Sequence, residues 1–167
     1  MRIPGFGGEV LRRNGGIPVA MPGGEIFTAL QTGTIDAAEW IGPYNDLAFG
    51  MHKVANHYYY PGWHEGGPSL ECIINKEAFE SLPDDLQAIV EIAIQSTNDT
   101  MLAEFVARNA SSLKQIKKMK EIEIKPFPEE VMKAFEKTTN EIIKEIEAKD
   151  PLFSKIFKSF SDYKETA

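Results

Sequence analysis

Residues 17–40, Ile17-Pro18-Val19-Ala20-Met21-Pro22-Gly23-Gly24-Glu25-Ile26-Phe27-Thr28-Ala29-Leu30-Gln31-Thr32-Gly33-Thr34-Ile35-Asp36-Ala37-Ala38-Glu39-Trp40, read as one strand–helix–strand unit. Ile17 to Met21 is a short apolar strand, and Pro22-Gly23-Gly24 turns the chain. Glu25 to Thr32 forms a helix with Ile26, Ala29 and Leu30 inward and Gly33 as its stop. Thr34 to Trp40 is the second strand. Upstream, residues 1–8 give a strand end and a flexible loop. Glu9 to Arg13 then starts a helix that Asn14-Gly15-Gly16 halts. Strands alternating with helices in this way predict a parallel sheet with crossover connections. Glu39-Trp40 closes a strand, and Gly42-Pro43 breaks the chain just after it. In open α/β sheets that end of a strand is where ligands sit.

Downstream, Tyr44 to Val54 is expected as a helix, Tyr58-Tyr59-Tyr60 as the opening of a strand, and Ser69 to Asn75 as another strand. Ser81-Leu82-Pro83-Asp84-Asp85 is a helix start. The stripe that follows (Leu86, Ile89, Val90, Ala93, Ile94, Thr97, Met101, Phe105) predicts a helix to about Lys118, some 36 residues or ~54 Å at 1.5 Å per residue. A compact globule of this length is ~40 Å across. Such a helix bridges two lobes or packs on another chain. Glu121 to Lys125 predicts a short strand. Pro128-Glu129-Glu130 starts a helix whose stripe runs through Val131, Ala134, Phe135, Thr138, Ile142 and Ile146. Asp150-Pro151 interrupts it before a last stripe at Leu152, Phe153, Ile156, Phe157 and Phe160. Both tail stripes call for a covering surface larger than the first 75 residues offer.

Composition divides the 167 residues unevenly. All 13 glycines, both tryptophans and all three histidines precede residue 68, while 14 of the 18 Lys and Arg follow it. The net charge of −7 argues against nucleic-acid binding. A single cysteine, Cys72, excludes an internal disulfide and is expected as a small buried hydrophobe. No apolar core follows Met1-Arg2-Ile3-Pro4-Gly5, so no signal peptide is read there.

Several residues invite chemistry. Gly5-Phe6-Gly7-Gly8 lacks the spacing of a nucleotide loop and is a turn. His52, His57 and His64 match no metal-ligand spacing and read as surface residues. Arg2, at a strand end beside a Pro-Gly loop, can grip a carboxylate with its two-pronged guanidinium. Glu39-Trp40 and the Trp63-His64-Glu65 loop add two carboxylates, which would repel an anionic ligand unless a cation sits between them. Oxygen donors of that kind suit Na⁺ or Ca²⁺.

Arg2-Ile3-Pro4-Gly5, Ala29 to Trp40, Gly42-Pro43 and Tyr59-Tyr60-Pro61-Gly62-Trp63 together resemble the DctP-type solute receptors of tripartite ATP-independent periplasmic (TRAP) transporters. Glu39-Trp40, the tyrosine-rich segment and Asp150-Pro151-Leu152-Phe153 look most like the subgroup that binds 2-oxo and 2-hydroxy monocarboxylates with a metal ion. The resemblance implies an α/β fold, the C-terminal part of a two-lobe periplasmic-binding-protein architecture. A small mixed sheet with crossover helices is joined there to a long spanning helix and a helical tail. It implies a ligand-binding lobe over 1–75, a spanning helix and return strand over 76–125, and C-terminal helices over 126–167 that dimerise. Arg2, Trp40 and Glu65 would bind substrate. Glu39, Trp40 and Glu65 would hold Na⁺ or Ca²⁺. The implied partners are a small carboxylate, the membrane permease subunits and a second copy of the chain. The implied role is capture rather than catalysis, in the periplasm or another extracytoplasmic space. Family members carry a signal peptide and a further lobe ahead of the position of Arg2, so a fragment of such a receptor is expected here. Two other functions compete: a helical oligomerisation module, and an acid–base enzyme using Glu39 and Glu65.

Overall fold

Arg2 lies at the centre of a minimal parallel ladder in the computed structural model, which describes residues 1–67 and 70–166. It bridges Val19 on one side and Ala38 on the other, both in parallel. Val19 N–H donates to Met1 O at 2.9 Å and Ile3 N–H to Val19 O at 3.2 Å. On the opposite edge Arg2 N–H donates to Ala37 O at 2.8 Å, and Glu39 N–H to Arg2 O at 3.0 Å. Helix α1 (Gly5–Arg13) connects the first of these segments to the second, and α2 (Gly23–Gln31) connects the second to the third. The expected parallel, helix-linked order is therefore present, shortened to single bridges. Pro4 limits the ladder on the Ala38 edge, because it lacks the N–H that would be the next donor, to the Glu39 carbonyl.

The chain forms two compact units. The first comprises Met1–Glu39, Tyr59–His64 and Pro126–Ala167, and the second Trp40–Tyr58 and Glu65–Lys125. In the first unit Ile3, Val10, Ile26, Ala29 and Ile35 are buried together with Ile142. Helix α1 starts at Gly5, a full turn before the expected Glu9. Its glycines serve close packing: a Cβ on Gly8 would lie 2.6 Å from the Ile3 carbonyl oxygen. Ile142 belongs to α6 (Glu129–Glu147), which follows in the same unit. The α6 stripe is covered in part within the unit, where Thr138 and Ile142 are buried. Asn14 donates to the Thr138 hydroxyl at 3.0 Å, and the Trp63 ring lies 4.3 Å from Phe135. Helix α7 (Pro151–Lys164) begins where expected, with Asp150 accepting from the N–H groups of Leu152 and Phe153. Its Leu152, Ile156, Phe160 and Tyr163 remain exposed.

In the second unit the helix expected over Tyr44–Val54 is split. Helix α3 spans Pro43–Ala48, and a 3₁₀ turn spans Met51–Lys53. Gly50, at φ 73°, is the break, a backbone angle that glycine adopts without steric cost. The strand expected from Ser69 to Asn75 does not form over 70–75, and Ser69 itself lies outside the described residues. Asn75 instead caps α4 (Lys76–Glu80), its side chain accepting from Ala78 N–H at 2.9 Å. Cys72 is exposed, which corrects its reading as a buried hydrophobe. The long helix is present as α5 (Asp84–Ile116), 33 residues, or ~50 Å. Only Ser112 and Ile116 of it are buried, and Ile89, Ile92, Leu102 and Val106 face solvent. Helix α3 packs on it through Tyr44, whose ring stands edge-on to Phe105 at 6.1 Å and whose N–H donates to Asn109 Oδ1 at 3.0 Å.

Strands β1 (His57–Tyr60) and β2 (Glu123–Pro126) form a two-stranded sheet, again parallel. Glu123 N–H donates to Asn56 O, and Phe127 N–H to Tyr60 O, both at 2.8 Å. No helix among the described residues is long and apolar enough to cross a membrane.

Candidate functional site

The ladder that centres on Arg2 also fixes its side chain. With its backbone paired to Ala37 and Glu39, the guanidinium reaches back along the same edge. Its Nη1 donates to Glu39 Oε1 and, at 3.3 Å, to the Glu39 carbonyl, while Nε donates to Met21 O at 3.3 Å. The second carboxylate oxygen of Glu39, Oε2, lies 2.9 Å from His64 Nε2. A carboxylate only accepts, so the imidazole must donate from Nε2. Arg2, Glu39 and His64 have side chains only 13%, 10% and 18% exposed. A charge-assisted network at this depth is stronger than the same contacts in water.

His64 is where this cluster departs from the sequence reading. The spacing of the three histidines placed all of them at the surface. His57 does lie there, half-exposed and 3.3 Å from Glu123, but His64 is enclosed. The Trp63 ring meets it edge-on at 5.7 Å and is itself packed on Phe135. A Cβ on Gly7 would come within 3.1 Å of His64 Cβ. The available signal was its position next to Trp63 and Glu65 rather than any histidine spacing.

The other nominated residues belong to the second unit. Trp40 is half-buried with its ring 5.0 Å from Phe49. Glu65 is exposed. The first unit thus brings Arg2 and Glu39 together, and Trp40 and Glu65 are the chain neighbours of Glu39 and His64. Among the described residues no three His, Cys, Asp or Glu side chains converge as a metal set.

The second unit also holds a small, partly open pocket of about 40 Å³, lined among others by Asp46, Leu47, Met51, His52, Tyr58 and Ile116. It has room for about one water molecule, not for an organic ligand. His52 Nδ1 is buried there with no partner among the described residues. Tyr58 donates to Asp46 Oδ2 at 2.5 Å. Burial, and then the Asp46 carboxylate, push the Tyr58 phenol well above its ordinary range.

The family model for bacterial extracellular solute-binding proteins, family 7 (DctP), matches residues 1–150. The chain belongs to this family. Its members are solute-binding proteins of transport systems. The chain is 40% identical over 164 residues to a monocarboxylate 2-oxoacid-binding periplasmic protein of Nostoc, covering 98% of this chain and 45% of that protein. Among solved structures it is similar to a TRAP periplasmic solute-binding protein of Colwellia psychrerythraea described with calcium and pyruvate. There the TM-score is 0.93 at 42% identity, over 99% of this chain and 51% of that one. It is also similar to a TRAP solute-binding protein of Pseudoalteromonas atlantica described with sodium and pyruvate. That match has a TM-score of 0.91 at 41% identity, over 99% of this chain and 50% of the other. The chain spans about half the length of the relatives it matches. The resemblance read from Arg2–Gly5, Ala29–Trp40 and the Tyr59–Trp63 segment therefore named the right family and the right half-receptor fold.

Proposed function

We propose that this DctP chain is the cation-assisted carboxylate-binding part of a TRAP receptor. Its ligand would be a 2-oxo or 2-hydroxy monocarboxylate, delivered to the permease subunits in the membrane. The observation that carries the reading is the Arg2–Glu39 pair. It sets a fixed guanidinium beside a hard oxygen donor at the carboxyl end of the Ala38 bridge. A carboxylic acid ligand needs the first, and a Na⁺ or Ca²⁺ ion needs the second.

The chemistry of the candidate donors suits such an ion. The Glu39 and Glu65 carboxylates and the Trp40 carbonyl are all oxygen ligands, the class that hard cations take. Each carboxylate oxygen offers about two lone-pair positions. With Arg2 on Oε1 and His64 on Oε2, Glu39 keeps a position on each oxygen for an ion. Arg2 would neutralise part of the acid's charge, Trp40 would give an apolar wall, and Glu65 would add a further oxygen donor. When bound, the cation would supply charge neutralisation for the acid. The role is capture without turnover, in the periplasm or its equivalent. The relatives described with pyruvate and calcium or sodium support the assignment. The exposed Leu152, Ile156, Phe160 and Tyr163 of α7 support a homodimer through the C-terminal helices.

Calorimetry tests the reading. Pyruvate is titrated into the protein with calcium, with sodium and with a chelator in sodium-free buffer. Heat that appears with either cation and vanishes in the chelator is expected. Equal binding in all three would refute the cation bridge, and no binding with either cation would refute the assignment to this chain.

A further inference from the structure

We propose that His64 is a positioning residue that fixes the carboxylate of Glu39 in its cation-ligating orientation; the idea rests on the assignment of Glu39 as a cation ligand made above. A glutamate side chain has three rotatable bonds, and an unheld carboxylate loses that freedom only when it binds, at a cost in affinity. Glu39 has already lost it. Arg2 Nη1 takes Oε1, and His64 Nε2 takes Oε2 at 2.9 Å, so both oxygens are anchored from different directions.

Anchoring works only if the anchors are themselves fixed. Arg2 is held by its backbone ladder and by Met21 O. His64 is held by close packing. Its Cβ stands where a Gly7 side chain would have to go, its ring meets the edge of Trp63, and Trp63 lies on Phe135 of α6. A surface histidine that merely neutralised Glu39 would need none of this; His57, beside Glu123, has a half-exposed side chain and a longer contact of 3.3 Å. Residues that hold a ligating group by its second atom typically change metal affinity by about 10–100-fold when removed.

The test compares wild type, His64→Ala and His64→Gln, because a glutamine amide can still donate to Oε2. Ca²⁺ affinity is read by displacement of terbium, using tryptophan-sensitised luminescence. In the metal-free proteins, NMR couplings along the Glu39 side chain report whether it occupies one rotamer. The expected result is a loss of ~10-fold or more in Ca²⁺ affinity for His64→Ala and recovery to within about 3-fold for His64→Gln. Glu39 should be a single rotamer in wild type and His64→Gln and averaged in His64→Ala. Unchanged affinity in His64→Ala would overturn the proposal, as would equal loss in both variants. Terbium uptake by none of the proteins would overturn the ligand assignment of Glu39, and the rotamer result would then stand alone for or against positioning by His64.

Discussion

Glu39 is joined to Arg2 twice, once by main chain and once by side chain. Its N–H donates to Arg2 O at 3.0 Å, and its carboxylate accepts from Arg2 Nη1. The backbone bond sets the register of the ladder, and the register delivers the two side chains to one another. A slip of one residue would send the guanidinium and the carboxylate to opposite faces.

Because both side chains are nearly buried, removing one leaves the other charged and desolvated. Glu39→Gln or Arg2→Met is expected to cost about 3 kcal/mol in urea unfolding. The double variant Arg2→Met/Glu39→Gln should cost clearly less than the sum, since it strands neither charge. Additive losses would mean that the pair is solvated in solution.

Tyr58 supplies a pH signature. Its phenol is pushed above its ordinary value, first by burial and then by Asp46. A group whose folded pKa is raised contributes stability that is fully present below its unfolded value, about 10 for tyrosine. That stability is lost as pH climbs beyond it. Wild type should therefore destabilise steeply above about pH 10 in a way that Tyr58→Phe does not. At pH 7 the same substitution should cost about 2 kcal/mol, the worth of a hydrogen bond to a carboxylate. Parallel alkaline profiles for the two proteins would contradict the burial of this phenol.

Helix α7 allows the proposed assembly to be tested apart from folding. Ile156 and Phe160 are 60% and 58% exposed, so Ile156→Ser/Phe160→Ser should shift monomer stability by no more than about 0.5 kcal/mol per site. Light scattering should show wild type as a dimer and the variant as a monomer. Ile142→Ser, buried in α6, should do the reverse, lowering the unfolding midpoint. A monomeric wild type would rule out this dimer surface.

How far the sequence reached depends on the range of each interaction. The crossover order and α5 were legible because periodicity, proline and glycine act within a few residues. Asp150 capping α7 was legible for the same reason. Arg2 and Glu39 were singled out by residue type, although their direct pairing was not foreseen. What stayed hidden is set by long-range contact. His64 owes its burial to Trp63, Phe135 and Gly7, residues from three separate segments. The 70–75 segment has the composition of a strand, but Asn75 is used as a helix cap and Cys72 is left exposed. The α6 stripe looked unpartnered because its cover, Asn14 and Trp63, arrives from residues far upstream.

The glycines of α1 and α2 allow the packing around His64 to be tested by sign alone. Helix propensity predicts that Gly→Ala inside a helix stabilises by roughly 0.5–1 kcal/mol. Gly24, in the first turn of α2, has nothing within 4 Å of the place a Cβ would take, so Gly24→Ala should follow that rule. At Gly8 the new methyl would stand 2.6 Å from a backbone oxygen, which cannot rotate away. Gly8→Ala should therefore destabilise by about 1–3 kcal/mol. Gly7 is the discriminating case. Its methyl would meet Ile3 Cδ1 at 3.0 Å and His64 Cβ at 3.1 Å. The isoleucine tip can yield, whereas the histidine is pinned between Trp63 and Glu39. Gly7→Ala should thus fall between the other two in chemical denaturation and displace the His64 ring resonances in NMR spectra. Stabilisation by Gly7→Ala with an unmoved His64 would show that α1 does not hold this histidine.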